Sequence, residues 1–346
     1  MIYIITILYV LVALLVFGLL IFIHELGHFL CARACGVGVK EFAIGMGPKL
    51  FSWTSKKYST VYRLRLLPIG GFVSMVGEDE ESSENNAFCN QKVWKRICIV
   101  IAGPLMNILL GFLLMLVLVT GQKALYGTTV NHFGENALSS QKLEIGDEIV
   151  KIGDTRVFTM NDIIYEVMNQ GYEPIDVTVK RDGQKVVLED VPFPVVTDNG
   201  VEFGVYDFIT NQENSNFRNY FKHAYHRSVS TVKMVLDSIF DLFGGRYGLE
   251  SVSGPVGVTE VIVEAAQSSF YTLLYVVIVI SINLGVFNLI PFPVLDGGRL
   301  LFLILEGIRR KPIKREVENF VNFAGMMILF AFMALVIVKD VFGLLR

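Results

Sequence analysis

Charged side chains are scarce in this sequence. Only 18% of its 346 residues are Asp, Glu, Lys or Arg, whereas 53% are hydrophobic. An ordinary soluble domain carries about 25% charged residues, so the composition argues against a soluble protein. The formal net charge is −3. Because nucleic-acid binding depends on an excess of basic residues, no nucleic-acid partner is expected.

Cysteine is also rare, and none occurs after residue 98. The four cysteines are Cys31, Cys35, Cys89 and Cys98. This distribution excludes a disulfide framework in the rest of the chain. Cys31 and Cys35 follow two histidines and suggest a structural zinc site with four ligands, but there is no second paired cluster. We therefore expect them to be packing residues.

Four long apolar runs predict four transmembrane helices. The first run contains no charge, and as a helix it would extend roughly 33 Å, about the hydrocarbon thickness of a bilayer. It lacks the basic start and the small-residue cleavage site of a secretory signal, so we expect it to remain as a membrane span. The runs are Ile2–Ile23, Ile97–Val119, Phe270–Leu305 and Phe320–Val338.

The third run is too long for one straight span, since a continuous helix of that length would extend roughly 54 Å. Pro291 and Pro293 should break it into a helix, an irregular PFPVLDGG turn and a second short helix. Broken backbone at membrane depth is tolerated only where it is buried in protein or lines a water-filled cavity. The break therefore indicates a functional site.

Lys and Arg cluster in two segments, between runs one and two and between runs three and four. The positive-inside rule assigns both segments to the cytoplasm, so both termini and residues 121–269 should be extracytoplasmic. The functional site at the break then lies near the cytoplasmic side. The basic residues are Arg33, Lys40, Lys49, Lys56, Lys57, Arg63, Arg65, Lys92, Lys95 and Arg96 in the first segment, and Arg309, Arg310, Lys311, Lys314 and Arg315 in the second.

The motif HELGH at residues 24–28 continues the first span. On a helix His24 and His28 share one face and can bind one Zn²⁺. Glu25 lies about 100° away, where it can accept a proton from a zinc-activated water without binding the metal. The motif also arises by chance on amphipathic helices, but unpaired ionisable groups in a membrane span are energetically costly. A catalytic zinc site is the better interpretation.

A catalytic zinc needs a third protein ligand, and Asp296 is the one carboxylate between Phe270 and Leu305. It lies in the proline-broken turn, before Gly297 and Gly298. An N-cap of the following helix would explain Asp296 alone. Together with HELGH, the sequence predicts His24, His28 and Asp296 as metal ligands and Glu25 as the catalytic base.

Three motifs together resemble those of the bacterial site-2 proteases of the RseP type, and the resemblance covers nearly the whole chain. They are HELGHF at residues 24–29, GPLMN at 103–107 and NLIPFPVLDGG at 288–298. The resemblance implies an intramembrane zinc metalloendopeptidase of regulated intramembrane proteolysis. Its substrates would be single-span membrane proteins, such as anti-sigma factors or remnant signal peptides. It also implies that Asn288 contacts the substrate or holds the broken backbone.

Segments 44–51 and 66–79 resemble the membrane re-entrant β-loop of the same family. Residues 61–75 alternate partly and contain Gly70 and Gly71, which indicates strands with an exposed edge. Such an edge can pair with substrate backbone, so Gly70 and Gly71 are predicted substrate-binding residues. A plain cytoplasmic hairpin is the alternative.

Residues 122–200 predict short strands and a helix, with a hairpin turn at DGQ, and resemble a PDZ domain. The loop ENALSSQKLEIGD is longer and more polar than usual, so the domain either binds peptides or excludes bulky substrates. The predicted fold is an α-helical membrane protein with four transmembrane helices, a re-entrant β-loop and one extracytoplasmic PDZ-like α+β domain. The predicted segments are 1–121, with two spans; 122–200; an amphipathic helical connector, 201–269; and 270–346, with two spans.

We thus predict a monomeric, multi-pass cell-membrane protease. A non-catalytic membrane scaffold with a structural metal is the first alternative, although such a site would not need Glu25. A metal transporter is the second, but it would place several metal ligands along more than one span, and the sequence shows one cluster.

Overall fold

The structure is a computed structural model that describes residues 2–78, 80, 82–198, 200–246, 248 and 252–344. The chain divides into two compact units, one from the described residues up to Gly111 and after 251, the other from those between Phe112 and 248. The elements in chain order are α1 (Ile2–Ala34), β1 (Val39–Thr54), β2 (Val61–Met75), α2 (Val93–Thr120), β3 (Leu125–Phe133), β4 (Glu148–Ile152), β5 (Thr155–Arg156), α3 (Met160–Gln170), β6 (Ile175–Arg181), β7 (Gln184–Val191), β8 (Val195–Asp198), β9 (Val201–Gly204), β10 (Phe208–Glu213), α4 (Phe217–Gly244), α5 (Pro255–Ser268), α6 (Phe270–Asn288), α7 (Asp296–Arg309) and α8 (Arg315–Leu344).

Among the described residues, four helices are long and apolar enough to cross a membrane, as the four runs predicted. α1 continues through HELGH to Ala34 and ends because Gly36 adopts a left-handed conformation, with φ of +81°. The candidate spans are Leu8–Ala34, Val93–Thr120, Phe270–Asn288 and Arg315–Asp340. The chain is therefore a multi-pass membrane protein.

The third apolar run is broken as its prolines predicted. α6 ends at Asn288 and α7 begins at Asp296. A Cβ added to Gly297 would overlap the carbonyl of Ile290, and one added to Gly298 would overlap the carbonyl of Phe292. Glycine at both positions therefore lets the first turn of α7 pack directly on the backbone of the break.

The first unit also contains a two-stranded sheet of β1 and β2, in which β2 folds around β1. Residues 39–44 of β1 pair with residues 71–75 of β2 on one side, and residues 41–44 also pair with residues 61–64 on the other. Residues 49–54 of β1 then pair with residues 61–65. The segment 71–75 is thus an outer edge, since no other described strand pairs with it.

The second unit is built on a sheet with the strand order β10-β3-β4-β6-β7, to which β5 adds by pairing with β4. The predicted hairpin turn joins β6 to β7, where Asp182 and Gly183 both have positive φ, as a type I′ turn requires. α3 begins with a capping box formed by Thr159 and Asp162. The core of the second unit consists of buried aliphatic and aromatic side chains, including Val130, Ile149, Ile163, Val177 and Phe208.

The helical connector predicted over 201–269 does not begin at residue 201. Residues 201–204 form β9 and residues 208–213 form β10, which pairs with β3. The strand pairing of β10 depends on a partner far away in sequence, so the local pattern did not reveal it. The helix expected over 217–245 is present as α4, while residues 247 and 249–251 of the connector lie outside the described part.

Candidate active site

His24 and His28 lie one turn apart on α1, and each is only 8% exposed. Their Nε2 atoms are 3.2 Å apart. The i, i+4 spacing brings the two rings to one face of the helix, so both imidazoles point to the same place.

Asp296, the first residue of α7, meets this pair. Its Oδ2 atom lies 3.0 Å from His24 Nε2 and 3.3 Å from His28 Nε2. The proline break turns the chain so that the start of α7 faces α1. The three predicted ligands therefore converge, and among the described residues they form the one cluster of His, Cys, Asp or Glu suited to a metal.

The three atoms fit a zinc ion. Zinc binds nitrogen and oxygen at about 2.0–2.2 Å in tetrahedral sites, which separates neighbouring ligand atoms by about 3.3 Å. The observed separations of 3.0, 3.2 and 3.3 Å are close to this value. Asp296 Oδ2 is buried and has no hydrogen-bond partner in the described structure, although both Nε2 atoms are near. This convergence of lone pairs suits a bound cation.

Backbone and glycine contacts from α2 hold His28 in place. Its Nδ1 atom lies 2.8 Å from the carbonyl oxygen of Ile99 and donates to it, which leaves the lone pair on Nε2 for a metal. A Cβ added to Gly103 would overlap the His28 ring, and one added to Gly27 would overlap the carbonyl of Ala102. Glycine at these positions therefore allows α1 and α2 to approach closely.

Asn107, the last residue of the GPLMN motif, lies beside His24. Its side chain is fully buried, with Nδ2 3.5 Å from His24 Nδ1. Its backbone carbonyl accepts a hydrogen bond of 2.8 Å from Ser281. The sequence alone gave no reason to connect Asn107 with the metal ligands, because the contact joins α1 and α2.

Glu25 lines the same pocket without joining the triangle of ligand atoms. The pocket encloses about 290 Å³. The backbone amide of Val73 donates a hydrogen bond to the Glu25 carboxylate. The pocket is lined by His24, Glu25, His28, Phe72, Val73, Met75, Glu78, Val100, Asn288, Val294, Asp296 and Arg299.

The three predicted substrate-binding residues occupy different positions. Asn288 lines the pocket, and its Nδ2 donates to the carbonyl of Leu284 at 2.9 Å. Gly71 begins the outer edge of β2, and a Cβ there would lie 3.4 Å from Glu25 Cγ. Gly70, with φ of +82°, packs on Met46 and forms the bend before that edge.

Two pocket residues were missed by sequence reasoning, Glu78 after β2 and Arg299 in the first turn of α7. They form an ion pair with each other. The sequence offered only a weak indication of this pair, because one acidic residue after a strand and one basic residue after the LDGG motif are common features.

Two histidines of the second unit, His223 and His226, contact other side chains and lie outside the ligand cluster. His223 Nε2 lies 3.2 Å from a carboxylate oxygen of Glu213, and His226 stacks on Phe158 with ring centroids 4.1 Å apart. Burial lowers the pKa of both histidines. Cys31 and Cys35 pack against a cluster of buried apolar residues in the first unit.

Comparison with known proteins identifies the family of the chain. The model of peptidase family M50 matches residues 12–332. The regulator of sigma-W protease RasP of Bacillus subtilis is 31% identical, over 94% of this chain and 96% of its own. A relative from Clostridium acetobutylicum, assigned as a zinc metalloprotease, is 37% identical over 96% of this chain and 97% of its own. The zinc metalloprotease RasP of Bacillus licheniformis is 28% identical over 94% and 97%. With four candidate membrane spans and a ligand set that fits zinc, the chain belongs to peptidase family M50, the site-2 proteases, and is an intramembrane zinc metalloprotease.

Proposed function

We propose that His24, His28 and Asp296 hold the catalytic zinc. Glu25 would be the general base that accepts a proton from the water that hydrolyses the substrate peptide bond. The observation that carries this assignment is the convergence of three ligand atoms within 3.0–3.3 Å of one another, with Glu25 in the same pocket. The two His Nε2 atoms and one carboxylate oxygen leave a fourth position for water and substrate.

Zinc bound there supplies Lewis-acid activation of the attacking water and of the scissile carbonyl. Glu25 accepts the proton of that water and delivers it to the amide nitrogen that leaves. The hydrogen bond from the Val73 amide holds the Glu25 carboxylate at the pocket wall. The Ile99 carbonyl keeps the His28 proton on Nδ1, so that Nε2 stays a ligand.

The substrate must be extended at the pocket, because a helix hides its own amides from attack. The outer edge of β2 at residues 71–75 runs beside Glu25, and no other described strand pairs with it. A substrate strand added to that edge would present its carbonyl to the metal ligands. Asn288, which also lines the pocket, would then hydrogen-bond to the substrate backbone.

The sheet of β1 and β2 suits a membrane re-entrant β-loop. Met46, Leu50, Phe51, Trp53 and Leu66 are large apolar side chains and are each more than half exposed. Such a surface is stable in lipid rather than water. We assign the substrates as single-span membrane proteins and the working form as a monomer in the cell membrane. Both termini would be extracytoplasmic and the metal site near the cytoplasmic side.

Residues 122–200 would form a PDZ-like domain, with segments 1–121 and 270–346 carrying the spans and the remaining residues connecting them. This domain would bind peptides or exclude substrates that carry bulky extracytoplasmic domains. The relative from Bacillus subtilis is named a regulator of sigma-W protease. By analogy, an anti-sigma factor is one candidate substrate, and a remnant signal peptide is another.

The test measures zinc content and cleavage of a single-span substrate in the purified full-length protein. Substitution of Ala for His24, His28 or Asp296 should remove zinc and activity together, because each change removes one of three ligands. Glu25→Gln should retain zinc and lose cleavage, because it removes the proton acceptor and no ligand. Full zinc occupancy in Asp296→Ala would contradict the ligand assignment. Cleavage by zinc-loaded Glu25→Gln would contradict the assignment of the base, and unchanged cleavage after removal of zinc would contradict both.

A further inference from the structure

The outer edge of β2 presents backbone amides at alternate residues. Residues 72–75 all have partners on β1, and the next amide, that of Val76, donates to the Gly38 carbonyl on the β1 side at 2.8 Å. The amides of Val73 and Met75 face the other way, because N–H groups alternate along a strand. They are therefore the donors that an added substrate strand would use.

Both amides already have carboxylate acceptors. The Val73 amide donates to Glu25, and the Met75 amide donates to Glu78 Oε2 at 2.9 Å. Glu25 is the assigned base and has to exchange this contact during turnover. Glu78 has no such role, so its carboxylate can stay hydrogen-bonded to the Met75 amide at the end of the edge.

Arg299 fixes Glu78 in this position. Its guanidinium forms an ion pair with Glu78 Oε1 and also lies 3.5 Å from the Glu78 backbone carbonyl. The Arg299 guanidinium carbon lies 4.8 Å from the centre of the Phe88 ring. The Glu78 and Arg299 side chains are 12% and 27% exposed, respectively. A partly buried, charge-paired carboxylate is a stronger acceptor for the Met75 amide than a mobile surface side chain.

We propose that Glu78 is a positioning residue that sets the register of the substrate strand. Its carboxylate takes the place of a substrate carbonyl at the Met75 amide and ends the usable edge there. The point at which the substrate strand must stop then determines which substrate residue lies at Glu25 and the zinc ligands. This inference rests on the strand addition proposed above.

A change in the register of the substrate strand would be visible in the cleavage position. A strand that slips by one residue exposes its other face, so the permitted slips are by two residues, about 6.6 Å. If the Met75 amide becomes free, a substrate can extend along the edge by one more pair of backbone bonds. A second cleavage position should then appear two residues from the first.

The first experiment maps cleavage positions by mass spectrometry in the full-length zinc-loaded protein. Glu78→Ala should produce a second product end, two residues from that of the unmodified protein. Arg299→Met should produce the same mixture to a smaller extent, because Glu78 then loses its partner. Glu306→Ala is the matched control, since it breaks the Arg96–Glu306 ion pair elsewhere in the same unit and should leave a single cleavage position. A single, unshifted position in Glu78→Ala would overturn the proposal.

A second measurement does not depend on turnover. A benzophenone amino acid at Phe72, which is 40% exposed and lines the pocket, is photocrosslinked to substrate in a Glu25→Gln background. Glu78→Ala should add a crosslinked substrate residue two positions from the original. Crosslinks at one unchanged residue in both proteins would overturn the proposed role of Glu78 and leave strand addition intact. Crosslinks in neither protein would overturn strand addition and this inference together, while the zinc and base assignments would stand on their own test.

Discussion

At the scale of single residues, the position of one proton decides which imidazole nitrogen can bind a metal. The Ile99 carbonyl fixes this for His28. For His24 the neighbour is the Asn107 amide, whose Oδ1 atom is buried without a partner among the described residues. Rotating that amide by 180° brings Oδ1 to His24 Nδ1, and the two orientations have nearly the same shape. In this orientation Asn107 would accept the Nδ1 proton and leave Nε2 for zinc.

We therefore expect Asn107→Leu to weaken zinc binding by about 10–100-fold, as is usual for a lost partner of a metal-binding histidine. Asn107→Asp should bind zinc more tightly than Asn107→Leu, because a carboxylate also accepts the Nδ1 proton. Competition with a chelator, followed by measurement of bound zinc, gives both affinities. Equal zinc affinity in the Leu variant and the unmodified protein would show that the amide has no influence on His24.

Membership of the candidate site was predictable from the sequence for residues that are close together in the chain or of a type that is scarce in their segment. The i, i+4 spacing of His24 and His28 and the isolation of Asp296 in an apolar run were sufficient to group them. Asn107, Glu78 and Arg299 were not predictable as neighbours of the site. Their contacts join α2 to α1 and β2 to α7, and nothing in the local sequence encodes those pairings.

At the scale of elements, the crossing of α1 and α2 depends on glycine. Gly103→Ala should displace the His28 ring, because the added methyl group would overlap it. We expect lower zinc content and lower cleavage activity in this variant. Gly111→Ala on the same helix is the control, since its methyl group would overlap the Ile282 side chain rather than the His28 ring. Similar zinc loss in both variants would indicate general damage to α2 rather than displacement of His28.

In the second unit, the packing of α4 on α3 depends on a buried carboxylate. Glu166 is 2% exposed, and Lys233 Nζ lies 2.8 Å from it. Burial would lower the pKa of Lys233, but hydrogen bonds to Glu166 and Asp237 outweigh it, so the pKa is raised. The stabilisation from this charge is therefore complete at neutral pH and is lost only as the pH rises through the raised pKa.

Lys233→Met should reduce the free energy of opening of α3, because Glu166 would be left buried without a cation. The loss should be about 1–3 kcal/mol, since the lysine is partly exposed and solvent weakens the ion pair. Lys151→Met, which removes the ion pair with the exposed Asp154, should cost about 0.5 kcal/mol or less. Hydrogen–deuterium exchange of α3 amides in the full-length protein measures both. Equal protection in the two variants would contradict a stabilising role for the Lys233–Glu166 pair.

The helical elements were largely predictable, because long apolar runs and prolines act locally. The strands were harder. Residues 39–44 pair with two separate parts of β2, and β10 joins a strand that lies before α3 in the sequence. Both pairings are between distant segments, so alternation suggested strands but could not identify their partners.

At the scale of the whole molecule, the distribution of Lys and Arg predicts which segments face the cytoplasm. In cells, a membrane-impermeant thiol reagent applied from outside should label a cysteine introduced at Asp182. It should not label one introduced at Lys57 until the membrane is permeabilised. Both side chains are exposed in the structure, so burial in the protein does not protect either. Labelling at Lys57 from outside would reverse the assigned orientation.

The proposed metal site is assembled from segments far apart in the sequence, since its histidines lie on α1 and its carboxylate on α7. During synthesis the ribosome completes the HELGH helix long before it reaches Asp296. A nascent chain therefore carries an incomplete ligand set until its third span has been made. A product truncated before Asp296 therefore lacks the third proposed ligand and should have no proteolytic activity.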